Sequence, residues 1–191
     1  KKEGNSVKLI DAIAEGITEG GLIDKIKSYN PDLIAAETST PSFKNDIRII
    51  HNIKQNLANV KIVICGPHAS VFPGQILQEY EFIDYVLIGE YEYTLLDLVN
   101  HLEEGSGLES ILGLAYRKGN KTTINKFRPT IDNLDTLPWP EREDVPIYNY
   151  NDAFSGLAIP NVQMLSSRGC PFQCIYCLWP QTMYRERKYR K

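Results

Sequence analysis

The strongest constraint on the fold of this chain is an alternation, across residues 7–104, of short and nearly unbroken apolar runs with amphipathic stretches. Residues 7–12, 32–37, 61–65 and 83–88 read as strands. Between them, residues 20–29 place Leu22, Ile23 and Ile26 at helical spacing, and residues 43–57 do the same with Ile47, Ile50, Ile53 and Leu57. Residues 73–80 form a short helix, and residues 93–103 supply Leu95, Leu96, Leu98, Val99 and Leu102 as one more apolar face. Strands that lack polar alternation are buried on both sides, which means a parallel sheet with helices over each face. Four such units predict a doubly wound, Rossmann-like α/β domain.

After Gly105 the pattern changes. Residues 111–117 and 121–125 flank Lys118-Gly119-Asn120 and predict a β-hairpin. Leu134-Asp135-Thr136-Leu137-Pro138-Trp139-Pro140, followed by charges and Pro146, reads as an extended linker. The expected division is therefore 1–127, a linker at 128–160, and a new unit at 161–191 that opens with a strand at 162–165. The polar start, Lys1 to Asn5, lacks a signal-peptide core and reads like a chain entered partway through. No apolar run reaches the ~18 residues of a membrane span, so no membrane partner is expected. A net charge of −3 argues against nucleic-acid binding driven by bulk charge. Arg185, Arg187, Lys188, Arg190 and Lys191 nevertheless crowd the last residues; they read as a phosphate or nucleic-acid patch or, in preference, as a solvated segment.

Three of the four cysteines, Cys170, Cys174 and Cys177, lie within eight residues in a C-x3-C-x2-C spacing. Three thiolates on one tight loop can hold three corners of an iron–sulfur cubane. Gly169 lets the backbone turn there, and Pro171 stiffens it. The missing fourth cysteine leaves one iron open. A structural zinc site wants four protein ligands, and Cys65 lies in the preceding domain. A disulfide would strand one of the three, and a secreted disulfide framework would spread an even number along the chain. A reducing, cytoplasmic location is expected.

This spacing, with the aromatic Tyr176 just before the last cysteine, resembles the radical S-adenosylmethionine (SAM) superfamily over residues 160–191. The resemblance implies a [4Fe–4S] cluster on Cys170, Cys174 and Cys177, with SAM on the open iron. It implies reductive cleavage of SAM to methionine and a 5′-deoxyadenosyl radical that takes hydrogen from a small-molecule substrate. An external electron donor such as flavodoxin or ferredoxin is implied with it. Tyr176 would sit near the adenine, or alternatively pack the loop. The superfamily core is a partial (β/α) barrel, of which residues 161–191 would supply the first strand and the cluster loop.

In open parallel sheets ligands bind at the carboxyl ends of the strands. Three polar segments fall there: Thr38-Ser39-Thr40-Pro41-Ser42, Gly66-Pro67-His68-Ala69-Ser70 and Gly89-Glu90-Tyr91-Glu92-Tyr93-Thr94. Followed by a linker and the cysteine loop, they resemble the cobalamin-binding domain of B12-dependent radical SAM enzymes over residues 7–127. The resemblance implies that Thr38, Ser39, Thr40, Gly66, Pro67 and His68 line the cobalamin nucleotide or corrin side chains. That family has a strand and helix ahead of Val7, and the Asp-x-His-x-x-Gly motif of base-on-histidine proteins does not occur in this sequence. His68 is read as an axial ligand or, in preference, as a hydrogen-bonded loop residue. Glu90 and Glu92 are read as acid–base groups or as carboxylates favouring a helix dipole. His51 and His101 are expected on helix surfaces, Trp139 and Trp179 as packing residues, and Cys65 as an inert thiol ending a buried strand. The function expected is methyl transfer or oxidative ring formation by a cobalamin-dependent radical SAM enzyme. The alternatives are a methylthiotransferase-like enzyme without cobalamin, or a non-catalytic corrinoid or iron–sulfur binding module.

Overall fold

The computed structural model describes residues 3–150, 164–185 and 189–191. Its centre is a five-stranded sheet in the order β1 (Leu33–Glu37), β2 (Lys61–Cys65), β3 (Tyr85–Leu87), β4 (Leu114–Lys118) and β5 (Lys121–Ile124). The first three strands are parallel, and the last two form an antiparallel hairpin against β3, with Tyr85 opposite Tyr116 and Leu87 opposite Leu114. The Rossmann-like α/β architecture and the hairpin expected from the sequence are both present.

β2 shows why the apolar runs were decisive. Ile62, Val63 and Ile64 are fully buried. Ile62 and Ile64 face one cluster with Ile47, Ile50, Ile76 and Leu77, while Val63 and Cys65 face another with Leu87, Leu98 and Tyr116. The first cluster lies under α2 (Phe43–Asn56) and α4 (Pro73–Glu79), and the second under α5 (Glu92–Glu104). Full burial of such side chains contributes roughly 1.5–3 kcal/mol each. α1 (Glu19–Tyr29) is capped by the Thr18 hydroxyl, which accepts from Gly21 N, and by Asn30 in the left-handed region. It packs Ile23 and Ile26 against Ile53 of α2.

Arg117 fastens the hairpin to this core. Its guanidinium donates to the carbonyls of Leu77 and Glu81, both at 2.7 Å, and to that of Ile83. One cation thereby satisfies three carbonyls at the end of α4 and in the turn into β3.

Two expectations need correction. Residues 7–12 form no strand: Val7 and Leu9 are more than half exposed, and only Ile10 touches the α1–α2 cluster. A strand is stable only beside another, and among the described residues this run makes no ladder with β1 or any other strand, so it stays irregular. Trp139 is 88% exposed and packs nothing, because the flanking prolines hold that stretch extended, away from the core. The strand expected at 162–165 begins outside the described residues; within them, Met164 and Leu165 are exposed and belong to no strand. Among the described residues no helix is long and apolar enough to cross a membrane.

Candidate functional site

The three polar segments meet at the carboxyl edge of β1, β2 and β3. Gly66 is the pivot: it leaves β2 at φ 99° and starts α3 (Pro67–Val71) in backbone space open essentially to glycine alone. The tightness follows from Thr38, whose N–H and hydroxyl both donate to the Cys65 carbonyl, at 2.9 and 3.3 Å. Thr38 is buried and its hydroxyl is committed, so it braces the rim from beneath. Ser39 and Thr40 stand exposed above it. Ser39 pairs with Ser42, and the Thr40 hydroxyl lies 3.2 Å from His68 Nδ1.

The His68 ring packs tilted against Phe43, centroids 4.0 Å apart, and lies 5.2 Å from Phe72. Burial lowers its pKa from the ordinary histidine value and so favours the uncharged ring. These contacts match a hydrogen-bonded, packed loop histidine. Cys65 is buried beside Glu37 and Tyr91, and burial, followed by the Glu37 charge, pushes its thiol up to about 12. Tyr91 donates to Glu37 at 3.1 Å, and its phenol is raised chiefly by burial. The inert Cys65 read from the sequence is what the fold holds.

The segments on either side of the cysteine loop dock on this same edge. α6 (Leu178–Thr182) and the residues after it sit above the β2 and β3 ends, where the Ser70 hydroxyl contacts Met183 Sδ at 3.7 Å and accepts from Gly89 N at 3.0 Å. A cleft of about 540 Å³ opens between Ser70, Phe72, Ile124, Phe127, Leu178 and Arg185. Arg185 lies over the Phe127 ring at 3.7 Å.

Cys170, Cys174 and Cys177 are free thiols, each half-exposed, and Cys177 N donates to the Cys174 carbonyl at 3.0 Å. Among the described residues, however, no three His, Cys, Asp or Glu side chains are drawn close enough together to hold a metal ion. The donor set suits a cluster by its chemistry: three accessible sulfurs on one loop, none consumed by a disulfide. Tyr176 is 88% exposed. Trp179 stacks on Tyr184, a packing residue as expected.

Two residues that carry much of this docking were not singled out from the sequence. Arg190 was grouped with a solvated basic tail, yet only 5% of it is exposed. Its guanidinium meets Glu90 through two contacts, 2.6 and 2.8 Å, and also donates to the Ile131 carbonyl at 2.7 Å. Arg168 pairs with Glu92 at 2.5 Å. Glu90 is thus engaged in a buried ion pair, while Glu92 opens α5 and faces a cation. The spacing Glu90-x-Glu92 was visible, but its partners lie far along the chain.

Parallel strands ending in a glycine-pivoted polar rim define a Rossmann-like α/β domain. Residues 1–99 match the B12 binding domain family, and the chain belongs to it. It is 35% identical over 177 residues to an uncharacterized methyltransferase of Pyrococcus horikoshii, covering 92% of this chain and 38% of that protein. It is 30% identical over 183 residues to an anaerobic magnesium-protoporphyrin IX monomethyl ester cyclase of Cereibacter sphaeroides, covering 93% of this chain and 29% of that one. The chain therefore spans well under half the length of these relatives. Among solved structures, the cobalamin-dependent SAM radical enzyme OxsB, with aqua-cobalamin and SAM bound, superposes with a TM-score of 0.78 at 23% identity, over 99% of this chain and 25% of that one. TsrM from Kitasatospora setae, with cobalamin and a [4Fe–4S] cluster bound, gives 0.68 at 18% identity, over 100% of this chain and 38% of that one. The chain is related in sequence and fold to cobalamin-dependent radical SAM enzymes.

Proposed function

We propose that this chain is the cofactor-binding part of a cobalamin-dependent radical SAM enzyme. Residues 1–127 would form the corrinoid-binding domain, residues 128–160 the linker, and residues 161–191 the start of the radical SAM unit. The observation that carries the reading is that the segments flanking a C-x3-C-x2-C loop dock onto the carboxyl edge of a B12-binding-type sheet. In that juxtaposition a bound corrinoid and a bound cluster would lie within reach of one substrate. It also favours this reading over a methylthiotransferase-like enzyme without cobalamin.

When bound, the cluster supplies the electron that cleaves SAM to methionine and a 5′-deoxyadenosyl radical, and the corrinoid supplies a carrier for methyl transfer or a partner in oxidative ring formation. The chain's own residues prepare the places. Cys170, Cys174 and Cys177 are the three thiol donors. Ser39, Thr40 and the Gly66-Pro67-His68 turn present hydroxyls and backbone to a corrinoid, with Thr38 holding the turn from below. The His68 ring, held by Phe43 and Thr40, offers shape and a hydrogen bond, and burial disfavours its charged form. Tyr176, projecting from the loop, is free to reach an adenine.

Anaerobic reconstitution with iron and sulfide, then with hydroxocobalamin, tests this. About four irons per chain and one equivalent of corrinoid retained through gel filtration are expected. Retention of neither overturns the proposal, and C170A/C174A/C177A must lose the iron while keeping the corrinoid.

A further inference from the structure

We propose that Glu90 and Glu92 form a latch that closes the base of the cysteine loop and fixes it over the sheet edge, with Glu90 as its positioning residue. Arg168 lies two residues before Cys170, and Arg190 lies beyond the far side of the loop. Their backbones are joined by an antiparallel bridge: Arg168 N donates to the Arg190 carbonyl at 2.9 Å, and Arg190 N returns the bond at 2.8 Å. The three cysteines sit inside the segment closed by that bridge.

The bridge is held through its own side chains. Arg190 lies flat against both oxygens of Glu90, with side-chain exposures of 4% and 3%. Glu90 Oε2 also accepts from Ile131 N at 2.8 Å, and Arg190 donates to the Ile131 carbonyl, so the first residues after the hairpin join the same knot. Two parallel charge-assisted bonds fix direction as well as distance. The second pair, Arg168 with Glu92, is one-quarter to one-third exposed. Burial works against the Arg168 charge, but Glu92 outweighs it and keeps the guanidinium protonated. Both carboxylates leave the β3 end on the four-residue segment Gly89–Glu92, and Gly89 is itself tied to Ser70 on the rim.

A buried carboxylate deprived of its cation is strongly disfavoured, so the pair behaves as one closed or open unit. Substituting Glu90 therefore takes from Arg190 its carboxylate partner, loosens the bridge, and lets the cysteine loop leave the sheet edge while the sheet stays folded. Glu92 contributes less, because water screens its pair.

The test uses the whole chain, with and without reconstituted iron. In the iron-free protein, limited trypsin digestion followed by mass spectrometry reads cleavage after Arg168 and Arg185 against cleavage within residues 19–124. E90A is expected to speed the loop cuts at least tenfold and leave the sheet cuts unchanged; E92A speeds the Arg168 cut two- to threefold. The double variant E90A/R190M should be no worse than E90A, since both act on one pair. The consequence for the cluster rests on the proposed function: iron loss to a chelator should run severalfold faster in E90A than in the parent at equal starting iron content. A parent that takes up no iron sinks the proposed function and leaves the latch to be judged by digestion alone. The latch is overturned if E90A loop cleavage runs at the parent rate, or if loop and sheet open together.

Discussion

Gly66→Ala tests the reasoning about the rim most directly. The added Cβ would lie 2.5 Å from the Thr38 carbonyl oxygen and 2.9 Å from Glu37 Cγ. The carbonyl cannot retreat, because Thr38 is bound twice to Cys65 on the neighbouring strand. Forcing alanine to φ 99° in this glycine-only region costs about 1–3 kcal/mol. Wedging one carbon against fixed backbone adds about 1–3 kcal/mol more. A central value of about 4 kcal/mol removes a large share of the roughly 5–15 kcal/mol that holds an ordinary domain together. Gly105→Ala isolates the backbone part: Gly105 ends α5 at φ 66° with nothing within 4 Å of its would-be Cβ, so only about 1–2 kcal/mol is at stake. With a urea slope of about 2 kcal/mol per molar, the midpoint should fall by about 2 M for G66A and by about 0.5–1 M for G105A. A G66A midpoint that drops no further than that of G105A refutes the close approach of β1 to the turn.

The cysteines separate by accessibility. Anaerobic titration of the iron-free native protein with a thiol reagent at pH 8 should count three reactive sulfurs, with Cys65 appearing only on unfolding; four fast sulfurs contradict the burial. The Cys65 shift also sets a sign. Its folded pKa, about 12, lies above the ~8.5 of an unfolded cysteine, so at alkaline pH the unfolded chain sheds a proton that the folded chain keeps. That contribution lowers stability as pH rises above about 8.5, and Cys65→Ala should flatten the alkaline decline in denaturation midpoint. Arg117→Ala strips three carbonyls of a charged donor and should cost about 2–3 kcal/mol, or roughly 6 °C in melting temperature; a shift under 1 °C denies the fastening role.

What the sequence disclosed follows from which forces are local. β2 is placed residue for residue, because five consecutive residues from Lys61 to Cys65 admit little but a strand buried on both faces. α2 and α5 come within a residue or two, since their apolar spacing and their ends are written in neighbouring positions. Residues 7–12 mislead because a strand is made by its partner as much as by its own side chains. The rim segments and the cysteine spacing were visible as motifs, yet the Thr38 hydroxyl turned inward to Cys65, a choice set by how close β1 and β2 lie. The Glu90–Arg190 pair was invisible: it joins residues 100 positions apart, and an arginine in a basic tail carries no local mark of burial.

The order of the sheet leaves its two borders unlike. At the hairpin border, Lys118 and Lys121 flank the turn, and such charges discourage other backbones from settling there. At the opposite border, Leu33-Ile34-Ala35-Ala36 carries no charge before Glu37 and no ladder partner on its outer side among the described residues. Among the described residues the sheet thus has one guarded flank and one receptive flank. Two copies meeting through their receptive flanks by a two-fold rotation would run antiparallel, and the guarded flanks would then face outward, so that pairing would close on itself instead of growing into a fibre.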